Sequence, residues 1–305
     1  MIEIDVEQNT DAWTKFRNEG VGASESAALK GICPYSTAYT LWLNKTGRGK
    51  PFEDNFGMQR GRELESKIRS RFELEQMQDF NPKVGRHPNY PMILASFDGV
   101  SDDGKELLEI KTTSKATLES VDQQIIPPHY YCQVQQQLLV SGADVCHFYV
   151  YNEKLNVFAT CDARPDLEYQ ANLILLIENF WNNHVLKDIP PPLTNKDVKQ
   201  ILPSENPELS MLCNQLVASK DELDKKDIDN YKAMLIDLAG HNKFKCGLVQ
   251  ISEVMRGDKF SYYRLTVEES QEQVIEDEHM KSKRLENEAW DKAKDQKLFE
   301  AIDNE

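Results

Sequence analysis

The chain contains no apolar run approaching the ~20 residues a membrane-crossing helix needs, and its opening Met1-Ile2-Glu3-Ile4-Asp5 has neither the basic nor the apolar region of a secretory leader. A cytoplasmic protein without membrane contact is therefore expected. Cysteine is scarce: six residues in 305, at positions 33, 132, 146, 161, 213 and 246, with no CxxC pair among them. That scatter excludes a thiolate zinc or iron–sulfur centre and a disulfide framework, leaving buried or incidental thiols. Basic charge is also short, 36 Lys and Arg against 51 Asp and Glu, for a net charge of −15. The acidic excess is shared, 19 against 27 over residues 1–190 (−8) and 17 against 24 over 191–305 (−7). Such a balance argues against loose, non-specific adhesion to polyanions, although a single channel wall can still be basic. No internal repeat is present. What remains is an ordinary apolar content of 40% in a chain long enough for more than one structural unit.

The stretch from Ser96 to Thr113 carries the most chemistry. Asp103-Gly104 reads as a two-residue hairpin loop, closed by Asp102 and Lys105, with φ > 0 at both central positions. The ladder then runs outward through Val100/Leu107 to Asp98/Glu109, whose Cβ atoms would lie roughly 5 Å apart. Lys111 follows Glu109 on the same side of its strand, because side chains alternate with period 2. Two facing carboxylates repel unless a proton or cation lies between them. An all-oxygen pair with room for water suits Mg²⁺.

Other segments have weaker local signals. Asn18–Glu25 reads as a loop into a helix, with Ser24 as the N-cap of Ala27-Ala28-Leu29 and Arg17 close by; capping alone or phosphate binding both suit Ser24. A helix runs through Gln59–Phe72 with Leu64, Ile68 and Phe72 as its core stripe. Beside that stripe, Glu65 either pairs with Arg69 one turn on or points at the metal site. Ile125-Ile126-Pro127-Pro128-His129 precedes a helix over Tyr130–Val140 that places Gln133 and Gln137 on one face, as site groups or as polar surface. Strands are expected over Cys146–Tyr151 and Val157–Thr160, and a helix over Glu168–Val185. The run Pro190-Pro191-Pro192 marks a boundary. Beyond it come a helical stretch over Leu209–Leu238, broken between Ser219 and Asp229, and a hairpin of Cys246–Val254 with Phe260–Val267 across Arg256–Lys259. The charged stretch Glu268–Glu305 reads as a helix or partly ordered tail. The expected division is 1–190, 191–267 and 268–305.

Asp98 followed by Glu109-Ile110-Lys111 resembles the D…(D/E)xK signature of the restriction-endonuclease-like nucleases. With Arg17…Gly22-Ala23-Ser24, Gly61…Glu65 and Tyr131-Cys132-Gln133-Val134-Gln135 in the same order, residues 13–185 resemble the lambda-type phage alkaline exonucleases, or YqaJ-like viral recombinases. The resemblance implies an α/β fold with a PD-(D/E)XK core, a mixed central sheet flanked by helices, here followed by a C-terminal α+β extension. It implies Asp98, Glu109 and the Ile110 carbonyl as ligands of one or two Mg²⁺ ions (or Mn²⁺). Lys111 would be the catalytic cation, with Glu65 and Gln133 completing the site. Arg17 and Ser24 would receive the 5′-phosphate. Family members place a further arginine after the ExK lysine; here Lys115 stands in that region, without the planar fork of arginine. The implied activity is 5′→3′ digestion of linear duplex DNA ends, leaving 3′ single strands for recombination. A trimeric ring and a single-strand annealing partner are implied as well. Alternatives are a nuclease of the same fold with other polarity or endonucleolytic action, and an idle DNA-binding or adaptor protein. The segment after Pro192 is similar to C-terminal additions on some YqaJ-like phage proteins.

Overall fold

The computed structural model describes residues 1–49, 56–256 and 259–268. Two compact units divide between Lys196 and Asp197, just past the proline run. In chain order the first unit contains β1 (Ile2–Glu3), α1 (Asp11–Arg17), β2 (Val21–Gly22), α2 (Ser26–Leu29), α3 (Ala38–Lys45), α4 (Phe56–Gln76), β3 (Phe80–Arg86), β4 (Ile93–Ser101) and β5 (Glu106–Thr112). It continues through α5 (Lys115–Asp122), α6 (Pro128–Ser141), β6 (Val145–Asn152), β7 (Val157–Ala163) and α7 (Leu167–Phe180), the last running on through one π turn, Trp181–Val185.

The sheet order is β1-β3-β4-β5-β6-β7, with β2 pairing parallel to β4. Hairpin neighbours are antiparallel, and the β5–β6 pair is parallel because α5 and α6 cross over between them. Alternation on β5 sorts its side chains between two layers. Leu107 joins the core that includes Val134, Leu138, Phe148 and Leu173. Leu108 and Ile110 face the other way, against Ile68, Phe72, Phe80 and Tyr149, so the α4 stripe of Leu64, Ile68 and Phe72 is used as its spacing predicts. The sheet is thus covered on both faces, the α/β/α layering expected.

The β4–β5 hairpin keeps the expected register, Val100 opposite Leu107, but not the expected loop. Four residues, Asp102–Lys105, separate the strand ends, and of Asp103 and Gly104 only Gly104 has positive φ (+73°). Side chains replace the tight turn. Asp103 Oδ1 accepts from the Ser101 hydroxyl (2.8 Å) and from the Lys105 N–H (3.0 Å), while Ser101 Oγ accepts from the Glu106 N–H (2.9 Å).

A second departure lies on the opposite edge of β4. Asn81 pairs with Val100 and Lys83 with Phe97, so Pro82 alone faces both Asp98 and Gly99. This is a β-bulge, which bends a strand and re-aims its side chains. Proline suits the position because it has no N–H to lose from the ladder. Gly99 is required by close approach: a Cβ there would lie 2.7 Å from Phe80 Cβ and 3.2 Å from Leu108 Cβ.

Helix α6 begins with Pro128 in its first turn and stops at Gly142, whose φ of +74° is the left-handed C-terminal conformation. Its glutamines are not surface filler: Gln135, Gln136 and Gln137 are all buried. Gln136 Nε2 donates to the Val21 and Leu94 carbonyls, both at 2.8 Å, and so ties β2 and β4 to the helix.

The second unit holds β8 (Lys199–Gln200), α8 (Pro207–Ser219), α9 (Lys225–Ala239), β9 (Phe244–Cys246), β10 (Val249–Arg256) and β11 (Lys259–Val267), in a sheet ordered β11-β10-β9-β8. Its core gathers Leu209, Leu216, Leu235, Phe244 and Ile251. The single strand expected over 246–254 is two: Gly247, at φ +56°, turns the chain so that Cys246 pairs with Val249. The turn at 257–258 and the tail over 269–305 lie outside the described residues. All six cysteines are free, five of them buried. Among the described residues no helix is long and apolar enough to cross a membrane.

Candidate active site

The bulge on β4, the following strand β5 and the helix α6 bring five side chains together: Asp98, Glu109, Lys111, Gln133 and Gln137. Asp98 is turned so that its Oδ2 accepts the Ile110 N–H at 2.7 Å. Across β4 and β5, Gly99 pairs with Leu108 and Val100 with Leu107. Beyond them a carboxylate, rather than a carbonyl, serves a β5 amide. Glu109 is 1% exposed. Its Oε1 accepts from Gln133 Nε2 (2.6 Å) and also contacts Lys111 Nζ, and its Oε2 accepts from Gln137 Nε2 (2.5 Å). Gln137 Nε2 also donates to the Ser96 carbonyl at 3.1 Å, locking the Glu109 carboxylate to the neighbouring strand. Lys111 Nζ lies 5.7 Å from the centre of the Tyr130 ring, whose face favours a cation.

Two acidic side chains share this site with one lysine. Burial pushes the Asp98 carboxyl well above the usual carboxylate range; the Glu109 charge, and more weakly that of Glu65, push it further, and Lys111 opposes them without prevailing. Burial works against the Lys111 ammonium, but the Glu109 and Asp98 carboxylates more than offset this and hold it protonated. Ionising both carboxylates against the single ammonium would leave the site net negative, a cost that a hard divalent cation would relieve. The donor set fits such an ion as a carboxylate pair plus backbone carbonyl and water. Among the described residues no group of three or more His, Cys, Asp and Glu side chains is placed to hold one.

The remaining expected residues divide. Glu65 makes the bland contact, an ion pair with Arg69 at 2.7 Å, while its charge still reaches Asp98. Ile110 meets Asp98 through its backbone N–H, and its side chain is buried against α4. Lys115 opens α5, is 72% exposed and pairs with Glu119 at 3.5 Å. It borders an open cleft of about 550 Å³ with Arg60, Thr112, Ser114 and Lys154, whose lining includes none of Asp98, Glu109 or Lys111.

Ser24 is not the helix cap expected. It sits inside a short 3-10 turn, Ala23–Glu25, and α2 starts after Glu25. The Ser24 hydroxyl accepts from Arg17 Nη2 at 3.4 Å. Sequence reading missed the group that organises this corner. Glu25 Oε1 accepts from Arg17 Nη2 (2.7 Å), and its Oε2 accepts from the Gly22 N–H (2.7 Å) and pairs with Lys45 Nζ (2.8 Å). Burial would raise the Glu25 carboxyl, but Arg17 and Lys45 together pull it below its usual value. The corner is fastened to the main site's supports. Val21 and Gly22 pair with Ile93 and Leu94 of the strand that carries Asp98, and Ser26 Oγ lies 3.2 Å from Cys132 Sγ, next to Gln133 on α6.

A sheet covered on both faces carries an Asp on a bulged strand opposite a Glu-x-Lys on the next, the arrangement that the resemblance to the restriction-endonuclease-like (PD-(D/E)XK) fold implies. Residues 12–144, all within the first unit, match the model of the YqaJ-like viral recombinase domain family. It is 31% identical over 192 residues to the uncharacterized protein YqaJ of Bacillus subtilis, covering 61% of this chain and 60% of that one. It is 29% identical over 160 residues to the uncharacterized protein R354 of Acanthamoeba polyphaga mimivirus, covering 47% of this chain and 28% of that one. The chain therefore spans less than two thirds of the length of these relatives. The alkaline exonuclease LHK-Exo of Laribacter hongkongensis shares the fold, with a TM-score of 0.51 and 24% identity over 59% of this chain and 94% of that one. The same enzyme in complex with dAMP gives a TM-score of 0.52 and 23% identity, over the same shares of the two chains.

Proposed function

We propose that this chain is a divalent-metal-dependent exonuclease that digests linear duplex DNA from its 5′ ends. The observation that carries this reading is the convergence of Asp98, Glu109, Lys111 and Gln133 at the β4 bulge. It is supported by the shared fold of an alkaline exonuclease and by that enzyme's complex with dAMP, a nucleoside monophosphate of the kind an exonuclease releases.

Asp98 and Glu109, with the Ile110 carbonyl, would hold Mg²⁺ or Mn²⁺. When bound, such an ion lowers the pKa of a coordinated water and neutralises charge on a phosphate oxygen. The protein's own groups do the rest. Gln133 and Gln137 fix both oxygens of Glu109, so its lone pairs stay aimed when substrate enters. Lys111 stays protonated beside the scissile phosphate and steadies the negative charge that grows there. Arg17 and the Ser24 hydroxyl are the groups proposed to take the terminal 5′-phosphate, a charge-assisted contact that fixes register. An acidic exterior is compatible with DNA because only the surface lining the substrate need be basic. Residues beyond Pro192 are proposed to serve assembly or a single-strand annealing partner, and a ring of three copies would enclose the duplex and keep it bound between cuts.

Linear duplex DNA labelled at either the 5′ or the 3′ end of one strand tests the polarity. With Mg²⁺, label at the 5′ end is expected as mononucleotide from the first turnovers, while 3′ label stays on long strands. Early release of 3′ label, or internal fragments alone, would replace this reading with a nuclease of other polarity or an endonuclease.

A further inference from the structure

Lys45 is a charged residue with no exposed role: its side chain is 2% exposed. Its ammonium donates to the Arg17 carbonyl at 2.6 Å and pairs with Glu25 Oε2 at 2.8 Å. Burial pulls its pKa below the usual lysine value, and the Glu25 charge only partly restores it. A buried ammonium is costly unless a partner requires it. The partner here is Glu25, which reaches Arg17 through one oxygen and Lys45 and the Gly22 N–H through the other.

Formal charge at this corner decides what it can bind. Glu25 orients Arg17, but alone it would also cancel the Arg17 charge, and a neutral pair offers little to an incoming phosphate. Lys45 supplies a second positive charge on the far oxygen of Glu25, so the three residues together carry +1. Arg17 is 27% exposed and the Ser24 hydroxyl faces solvent beside it, so the uncancelled charge is presented where a ligand could reach it. Lys45 itself is too deeply buried to touch that ligand.

We propose that Lys45 is a positioning residue that sets the net charge of the Arg17–Ser24 corner and thereby its preference for a terminal phosphate. The inference rests on the reading of Arg17 and Ser24 as the 5′-phosphate site. It extends that site to a residue that neither motif nor contact with substrate would select.

Charge counting gives a test that packing alone would not satisfy. Lys45→Met takes the corner to 0, Glu25→Gln to +2, and the double variant back to +1. The readout is the ratio of dissociation constants for two otherwise identical linear duplexes, one with 5′-phosphate and one with 5′-hydroxyl ends, bound by the full chain in EDTA so that nothing is cleaved. K45M is expected to lower the preference for the phosphate end by about tenfold, the effect of one unit charge several ångströms away at intermediate dielectric. The double variant is expected to recover the wild-type ratio, and E25Q to exceed it. Should K45M fail to fold, the E25Q and double variants carry the same comparison, since they differ only in the Lys45 charge, which in E25Q keeps the Arg17 carbonyl as its acceptor. An unchanged ratio in K45M, or a double variant that does not return to wild type, overturns the proposal while leaving Arg17 and Ser24 in place. Equal weakening toward both ends would mark a purely structural lysine. A wild-type chain that binds both ends equally would overturn the phosphate reading itself, and this proposal with it.

Discussion

Lys111→Ala is expected to slow hydrolysis of linear duplex DNA by about a thousandfold, the upper range for removing one preorganised charge from a transition state. Lys111 is held on three sides: by alternation on β5, which sets it on the Glu109 face; by Glu109 Oε1; and by the Tyr130 ring. Without it, Asp98 and Glu109 confront each other with no internal cation, so the substitution also takes away the charge that partly opposes the rise in the Asp98 pKa. Arginine is not expected to rescue the activity, because a planar guanidinium cannot replace a compact ammonium between Glu109 and the ring. Single-turnover rates at saturating Mg²⁺, with thermal unfolding as a control for folding, check this. A well-folded variant within tenfold of wild type would remove Lys111 from the chemistry.

Gly99→Ala is expected to cost about 1–3 kcal/mol, the range for overpacking a core. That lowers the melting temperature of the first unit by about 3–10 °C. The new methyl would stand 2.7 Å from Phe80 Cβ and 3.2 Å from Leu108 Cβ. Both are atoms fixed directly to backbone, one on each neighbouring strand, so neither can rotate away and the sheet itself must spread. Because Asp98 is the adjacent bulge residue, activity is expected to fall along with stability. Differential scanning calorimetry checks the first part. An unchanged melting temperature would mean that the strands do not close around Gly99 as described.

Local rules carried the sequence reading as far as local rules reach. The register of Asp98 with Glu109 was legible because the polar loop limits where the strands can turn and period-2 alternation then assigns every side chain a face. Its loop was mistaken, since Ser101 and Asp103 satisfy backbone groups with side-chain oxygens that a turn rule does not count. The bulge that aims Asp98 had one overlooked local sign, Pro82 inside a strand. Gln133 and Gln137 could be placed on one helix face, but the burial of the glutamines depends on β2 and β4 lying beneath α6, which no helical pattern reveals. Glu25 and Lys45 had no sign at all. They meet across 20 residues and two helices, and each alone looks like a solvated charge. Gly247 is the converse case: one residue with positive φ split an apparently continuous strand into two.

The metal-dependent nuclease site proposed at Asp98, Glu109 and Lys111 works from DNA ends. Its most direct measurement is release of acid-soluble nucleotide from one duplex offered in linear and in covalently closed form, with Mg²⁺ and with EDTA, beside Asp98→Asn. Release is expected from the linear form with Mg²⁺ only, and none from the variant. Release that persists in EDTA or in the variant, or no cleavage of either form with Mg²⁺ or Mn²⁺, would contradict it.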